Sequence, residues 1–255
     1  MEQMDQPRDS RTGPEAQTAT RQLRVSRPPV AIGQNGLEFR TEIRLDLAIE
    51  LSRLPVQRFL KRIIDLSLAL LGLIALSPLL LLVAILIKLD SEGPVLFMQR
   101  RVGKAGRFFT MYKFRSMYIN AAELRQKMNL ERRPGDPRDT KVRNDPRVTR
   151  IGLFMRRTSI DELPQLFNVI FGDMSLVGPR PALASEAIEW DPQYFYRLAV
   201  EQGCTCIWQV SGRSDTTFQD QMRMDAQYVR DWNLWMDFKL MVRTVFAILT
   251  GRGAY

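Results

Sequence analysis

LSLALLGLIALSPLLLLVAILI, residues 66–87, runs for 22 residues without a charge and is interrupted near its middle by Ser77-Pro78. At about 1.5 Å of rise per residue, the stretch is long enough to cross a bilayer. Its flanks argue against a simple crossing. Arg58, Lys61 and Arg62 precede it, while Lys88 and then Arg100, Arg101, Lys104 and Arg107 come after it. Positive charge marks the cytoplasmic side of a membrane segment, and here it stands on both sides. A helix that enters the bilayer, breaks at Pro78 and leaves on the same face reconciles the two facts. Proline removes a backbone donor and its ring clashes with the carbonyl four residues earlier. The Ser77 hydroxyl can occupy the backbone group so freed. An ordinary kinked single span is the alternative.

Working outward, the 255 residues leave enough chain after the apolar stretch for one well-buried domain. Residues 1–36 are rich in Gln, Arg, Thr, Pro and Gly, and they read as disordered. They lack the apolar core of a signal peptide. Residues 37–56 carry a mild helical periodicity in Leu45, Leu47, Ile49, Leu51 and Leu54, fit for a surface helix leading to the membrane. The expected organisation is a largely disordered extension over 1–56, a re-entrant membrane helix over 57–90 and a cytoplasmic, membrane-associated domain over 91–255.

The chain has no histidine. That removes Ser-His-Asp triads, Cys-His dyads, HExxH metalloprotease sites and histidine-based phosphoryl transfer. Any catalysis rests on carboxylates, Lys/Arg, hydroxyls or a carboxylate-bound metal. Cys204 and Cys206 make a C-x-C, an incomplete metal site, and read as thiols of a reducing compartment. Charge is concentrated. Residues 99–160 hold 17 Lys/Arg against 5 Asp/Glu, a net +12 that exceeds the +9 of the whole chain. Such a block favours anions. It directly succeeds a membrane segment and no nucleic-acid recognition motif accompanies it, so a membrane surface with some cations reserved for phosphate is expected, and no nucleic acid.

Beyond the membrane segment, Val95–Gln99 and Phe108–Phe114 are apolar or alternating runs joined by Gly103-Lys104-Ala105-Gly106, which predicts a β-hairpin. Residues 121–130 read as a polar helix, 131–147 as a long exposed loop and 176–181 as an irregular turn. Residues 219–233 and 234–250 read as helices, the second closed by Gly251. That second helix is apolar on most sides yet charged through Asp237, Lys239 and Arg243, which suits the membrane interface or packing on the inserted helix. The fold class expected is α+β, mainly helical, with a re-entrant membrane helix, interface helices and a small β-hairpin region.

Chemistry centres on Thr158-Ser159-Ile160-Asp161-Glu162-Leu163-Pro164-Gln165. Read locally, Ser159 and Glu162 form a capping box, and two acids in a first helical turn stabilise the macrodipole with no further role. A helix N-terminus also lowers the pKa of a carboxylate, which would leave Asp161 ionised and nucleophilic at neutral pH. Adjacent carboxylates suit Mg²⁺, which takes one or two of them plus substrate phosphate oxygens. Arg156 and Arg157 lie just upstream, and Arg180 falls in a Gly-Pro-Arg-Pro turn that fixes its backbone. An acid pair among held arginines is what displacement at phosphorus requires.

Five segments together resemble the bacterial sugar transferase family, the monotopic polyprenyl-phosphate phosphoglycosyl transferases. They are Lys61-Arg62-Ile63-Ile64-Asp65 with the Ser-Pro-broken segment, Lys113-Phe114-Arg115-Ser116-Met117, Asp161-Glu162-Leu163-Pro164-Gln165 through Gly172-Asp173-Met174-Ser175, Gly178-Pro179-Arg180-Pro181, and Gln209-Val210-Ser211-Gly212-Arg213. The likeness covers roughly residues 58–250 and is greatest to the compact, exopolysaccharide-initiating members that transfer galactose- or glucose-1-phosphate.

The resemblance implies transfer of a hexose-1-phosphate from a UDP-sugar to undecaprenyl phosphate with release of UMP, at the cytoplasmic face of the bacterial inner membrane. It casts Asp161 as the nucleophile that forms a covalent phosphosugar-aspartate and Glu162 as its assistant, with Mg²⁺ on both carboxylates. Lys113, Arg156, Arg180 and Arg213 match the family's phosphate-site cations; Arg115 and Arg157 read as solvated or headgroup contacts. Ser77 and Pro78 mark the break in the membrane helix. Inner-membrane lipid is a partner, and downstream glycosyltransferases or a second copy of the chain are compatible further partners. Gly-Cys-Thr-Cys-Ile-Trp-Gln departs from the expected Pro-Gly-Ile-Thr-Gly-Trp-like residues, which bears on nucleotide-sugar selectivity. A non-enzymatic membrane-surface protein or a lipid-directed phosphohydrolase are the competing functions.

Overall fold

A computed structural model describes residues 31–32, 34–35, 37–38, 55–128, 145–212 and 216–250. Most of the N-terminal extension, the surface helix expected before residue 55, residues 131–144 of the expected loop, Arg213 and the closing Gly251 lie outside the described residues.

The apolar stretch belongs to α1, Pro55–Asp90, a single helix of 36 residues. It stays helical through Pro78, so the proline removes one rung of the ladder without ending the helix. Pro78 withdraws the donor that the Ile74 carbonyl would accept, and the Ser77 hydroxyl donates to that same oxygen at 2.8 Å. The buried positions Asp65, Ala69, Leu73, Val83 and Ile87 keep one phase across the proline. They fall within an arc of about 80° at about 100° per residue. The opposite side exposes Leu70, Leu71, Ile74, Leu81 and Leu82.

Both ends of α1 are fastened to the same body of protein. At its start, Lys61 donates to Asp237 at 2.6 Å and to the Val177 carbonyl at 3.1 Å. Asp237 also accepts from Tyr228 and Trp232. Arg62 donates to the carbonyls of Val169 and Ile170, and Asp65 accepts from Ser175 and the Leu176 amide. At its other end, Asp90 accepts from the Ile151 amide at 3.1 Å. Arg115 then pins the exit, donating to Ser91 Oγ, the Ser91 carbonyl and the Pro94 carbonyl.

The hairpin pairs β3, Leu96–Val102, antiparallel with β4, Phe108–Phe114, Leu96 opposite Phe114 and Val102 opposite Phe108. The first strand extends three residues past Gln99. Its arginines do not stop it, because Arg100 lies over the Phe108 ring at 4.4 Å and Arg101 donates to the Pro181 carbonyl. A short antiparallel pair, β1 (Ala31–Ile32) with β2 (Leu37–Glu38), corrects two expectations, since β1 falls in the stretch read as disordered and β2 at the start of the stretch read as a surface helix. The Phe108 amide donates to the Asn35 carbonyl between them.

The remainder is mostly helical: α2 (Ala121–Lys127), α3 (Arg150–Thr158), α4 (Gln165–Phe171), α5 (Ala184–Ala187), α6 (Ile207–Ser211), α7 (Phe218–Asp231) and α8 (Leu234–Thr250). Strands β5 (Met174–Val177) and β6 (Gln202–Thr205) pair in parallel. The chain just beyond that pair is drawn in so closely that a Cβ on Gly203 would lie 2.1 Å from the Gly178 amide. Helix α1 contributes to two cores, Ala69 meeting Phe109, Met111, Val169 and Met174, and Val83 with Ile87 meeting Phe114 and Met155. A third core gathers Trp190, Phe195, Leu198, Phe218 and Met222. Strand β4, with Phe109 and Met111 in one α1 core and Phe114 in the other, is thereby held against the helix. That is the frame on which Lys113 is carried.

Candidate active site

The acid pair occupies a reversal between two helices. Thr149 caps α3, its hydroxyl accepting from the Gly152 amide at 2.9 Å. The helix ends at Ser159, whose φ of 58° is left-handed. A 3₁₀ turn, Ile160–Glu162, comes next, and α4 starts only at Gln165. The expected capping box is therefore absent. Ser159 terminates α3 instead of starting a helix, and its side chain makes no cap bond.

Glu162 sits between two cations. Lys113 Nζ and Arg180 Nη2 each lie 2.7 Å from its Oε1. Burial alone would raise its pKa, but Arg180 and then Lys113 outweigh that and hold the carboxyl well below the usual carboxylate range. Asp161 differs. It is half-buried, and among the described residues it has no hydrogen bond or ion pair of its own within 4 Å. Burial, and after it the neighbouring Glu162 charge, push it up to about 6, against the pull of Lys113, Arg156 and Arg180. The lowered pKa expected from a helix N-terminus is thus overturned, since no α-helix begins at this turn.

Each cation is placed by identifiable contacts. Lys113 lies on β4, which Asn168 ties to α4 by accepting from the Tyr112 amide at 3.0 Å and donating to the Thr110 carbonyl at 2.6 Å. Burial lowers the pKa of Lys113, with Glu162 opposing. Arg180 lies just past β5, and its carbonyl accepts from Arg197 at 2.7 Å. Arg197 is buried, paired with buried Asp225 at 2.7 Å and stacked over Trp190 at 4.8 Å. Arg156, on α3, donates Nε to Ser116 Oγ at 3.0 Å. This needs Gly152, because a Cβ there would lie 2.1 Å from the Ser116 carbonyl.

The structure thus brings Lys113, Arg156 and Arg180 around Asp161 and Glu162. Arg213 lies outside the described residues, and Ser77 and Pro78 belong to α1, whose neighbouring Leu79 and Leu80 share a core with Ile160 of the acid turn. Arg157 is exposed as expected. Arg115 is not a solvated contact: it is 5% exposed and spent on Ser91 and Pro94. Much of the basic block is spent inside the fold in this way, with Lys104 on Glu201 and Arg101 on Pro181. Cys204 and Cys206 are free thiols. Burial, then Glu162, pushes Cys204 up to about 12, which leaves it protonated and unsuited to attack. Asn168, Arg197 and Asp225 were not singled out from sequence. A polar residue inside the apolar stripe of α4 was the one signal available for Asn168.

The donor set can be tested against a magnesium ion. A hard cation wants carboxylate oxygens completed by phosphate oxygens and water. Among the described residues no group of three or more Cys, Asp or Glu side chains is placed to hold a metal alone. Asp161 has uncommitted oxygens, whereas Glu162 is committed to Lys113 and Arg180. The residues fit a metal held by Asp161 together with a phosphorylated substrate.

Residues 56–251 match the family model described as bacterial sugar transferase. Over 205 residues the chain is 41% identical to the undecaprenyl-phosphate galactose phosphotransferase of Salmonella typhimurium, covering 78% of this chain and 42% of that one. It is 44% identical over 209 residues to the undecaprenyl-phosphate glucose phosphotransferase of Komagataeibacter xylinus, covering 76% and 37%. It is also 39% identical over 205 residues to the exopolysaccharide production protein ExoY of Sinorhizobium fredii, covering 79% and 90%. The chain therefore spans less than half of the first two relatives and nearly all of the third.

Proposed function

The chain belongs to the bacterial sugar transferase family, and from that premise we propose that it transfers a hexose-1-phosphate, galactose or glucose, from a UDP-sugar to undecaprenyl phosphate with release of UMP. This step initiates assembly of an exopolysaccharide repeat unit. The observation that carries the reading is Asp161: among the described residues, a half-buried carboxylate without a bond of its own, facing three cations whose side chains bond Glu162 and Ser116.

Asp161 attacks the β-phosphorus. As the new oxygen–phosphorus bond forms, the bond to the α-phosphate breaks, and UMP leaves with its electron pair. Lys113 and Arg180, pre-oriented by Glu162, meet the negative charge that spreads over the transferring phosphoryl group. Asp161 must be ionised to act, and a carboxyl titrating near 6 is ionised at neutral pH while remaining a better nucleophile than one held lower. The lipid phosphate then attacks the same phosphorus, and the Asp161 carboxylate is returned. Magnesium, held by Asp161, would neutralise diphosphate charge.

Helix α1 supports a re-entrant placement at the cytoplasmic face of the inner membrane, with residues 91–255 as the catalytic domain. Its 36 residues amount to about 54 Å of helical rise, well over a hydrocarbon core of about 30 Å, and a bend at Pro78, where the ladder lacks a rung, would return the chain to the face it entered. A crossing helix puts its ends on opposite sides, yet Lys61 and Asp90 both bind the one domain that carries the acid turn.

The test is UMP release by detergent-solubilised protein with Mg²⁺, undecaprenyl phosphate and a panel of UDP-sugars, with Asp161→Asn alongside. Acceptor-dependent UMP from one sugar, lost in the variant, is the expected result. Release without acceptor beyond one UMP per enzyme, or activity retained in Asp161→Asn, refutes the mechanism.

A further inference from the structure

Three successive carbonyls of the turn that carries Arg180 are each taken by a donor. Arg197 donates to that of Arg180 at 2.7 Å, Arg101 to that of Pro181 at 3.1 Å, and the Val102 amide to that of Ala182 at 2.9 Å. Two of these donors, Arg101 and Val102, are the last residues of β3, where the hairpin turns back at Gly103. A ladder frays first at its end. The firmness of the Arg180 turn therefore depends on what holds the last rung of the hairpin.

That rung pairs Val102 with Phe108. The Val102 amide points outward to Ala182 on one edge, and the Phe108 amide points outward to the Asn35 carbonyl at 3.0 Å on the other. Outward amides are the mark of a non-hydrogen-bonded pair in an antiparallel ladder, so each needs a partner from outside the hairpin. For Phe108 that partner comes from the N-terminal extension, ahead of the 56–251 that match the family model. The neighbouring Gln34 carbonyl accepts from Arg100, whose guanidinium lies over the Phe108 ring at 4.4 Å. Two consecutive carbonyls of the extension thus reach both strands of the hairpin end. The side chains of Gln34 and Asn35 are exposed, so the contact is made by backbone. Lys104, paired with Glu201, fastens the hairpin turn from another side.

We propose that the Gln34-Asn35 turn of the extension is a positioning element for Arg180: docked on the last rung of the hairpin, it keeps Arg101 and Val102 where they fix the Pro181 and Ala182 carbonyls. Its effect on rate rests on the transfer reading above, in which Arg180 meets charge on the transferring phosphoryl group. A cation that acts in the transition state must be in place before the charge develops. The extension touches no substrate in this role. It is a control point outside the shared domain, and lifting its turn from the hairpin slows transfer.

The experiment reads amide exchange at Val102 and Phe108, and acceptor-dependent UMP release, on the full chain in detergent. The unaltered protein is compared with a chain lacking Gln34 and Asn35 and with Arg100→Met, which keeps an apolar stem against Phe108 and loses the donor. Exchange at both amides should quicken about twofold to tenfold in either variant. The kcat should fall about tenfold with the KM for the UDP-sugar nearly unchanged. Arg100→Lys should recover part of both effects. Faster exchange at Phe108 with Val102 unchanged confines the dock to β4 and overturns the proposal. Faster exchange at Val102 with an unaltered kcat overturns it as well. If the unaltered protein releases no UMP, the transfer reading falls by itself, and exchange at Val102 alone then upholds or overturns the hold on the Arg180 turn.

Discussion

Replacing Glu162 with glutamine should move the acid limb of the transfer reaction to lower pH. Burial and then the Glu162 charge hold the Asp161 carboxyl at about 6, against an ordinary value of 3.8. A group titrating there is roughly nine-tenths ionised at pH 7 and roughly one-tenth at pH 5, so a rate that needs the carboxylate falls about tenfold across that interval. Glu162→Gln removes the like charge next door. It also releases Lys113 and Arg180 from their 2.7 Å contacts, leaving both to act on Asp161. Both changes favour the charged form, so the limb shifts down while the plateau rate drops through loss of cation positioning. The assay is initial UMP release at saturating substrates between about pH 5 and pH 8. A limb that stays in place or moves up refutes the electrostatic account. The same shift has a stability counterpart. The folded protein holds the Asp161 proton more tightly than the unfolded chain, so stability declines as pH rises from 3.8 through about 6, and the penalty stands in full above that. Asp161→Asn should therefore raise the stability at pH 7, by at most about 3 kcal/mol less the part that solvent screens, and not below pH 3.8, read as a higher thermal midpoint at pH 7 only.

Two more outcomes come from packing. Gly152→Ala places a Cβ 2.1 Å from the Ser116 carbonyl, so α3 must move off β4; about 1–3 kcal/mol of stability should be lost, along with most activity, as Arg156 leaves Ser116, and a variant with the unaltered rate would contradict that placement. Pro78→Ala returns a donor to the Ile74 carbonyl and stiffens α1; cysteine labels at its two ends should react from one membrane face in the unaltered chain and partly from opposite faces in the variant, and an unchanged pattern removes Pro78 from the topology.

Legibility in the sequence tracks the range of the forces involved. The apolar helix and the hairpin announce themselves locally, one by an uncharged run and the other by two apolar runs about a Gly103–Gly106 turn. The acid pair stands out by its company of arginines, but its geometry does not follow from them. Ser159 looks like a cap for a helix beginning at Ile160, and only α3 arriving from upstream makes it a left-handed stop. Arg115 and Arg156 stand in the same basic block. Which of them turns into the site depends on Ser91 and Pro94 at the exit of α1 and on Gly152, contacts that no window of sequence contains. The parallel pair β5 and β6 is four residues per strand, with a long excursion between. It is settled by close backbone approach at Gly178 and Gly203 rather than by alternation. Arg197 and Asp225 are ordinary charges in the sequence and become a lock on Arg180 only when α7 packs beside them.

The contact between Lys61 and Asp237 joins residues 176 positions apart. In a growing chain, α1 leaves the ribosome and can reach the bilayer on its own hydrophobicity long before α8 has been made. Until then the Lys61 ammonium has only Asp65, one turn on, with water and lipid headgroups to answer it, and the Val177 carbonyl beside the Arg180 turn lacks the Tyr228 hydroxyl that later donates to it. The helix that meets the membrane early thus gains its last fastening only at the end, and a nascent enzyme stays slack around its phosphate-binding turn until α8 closes the circuit.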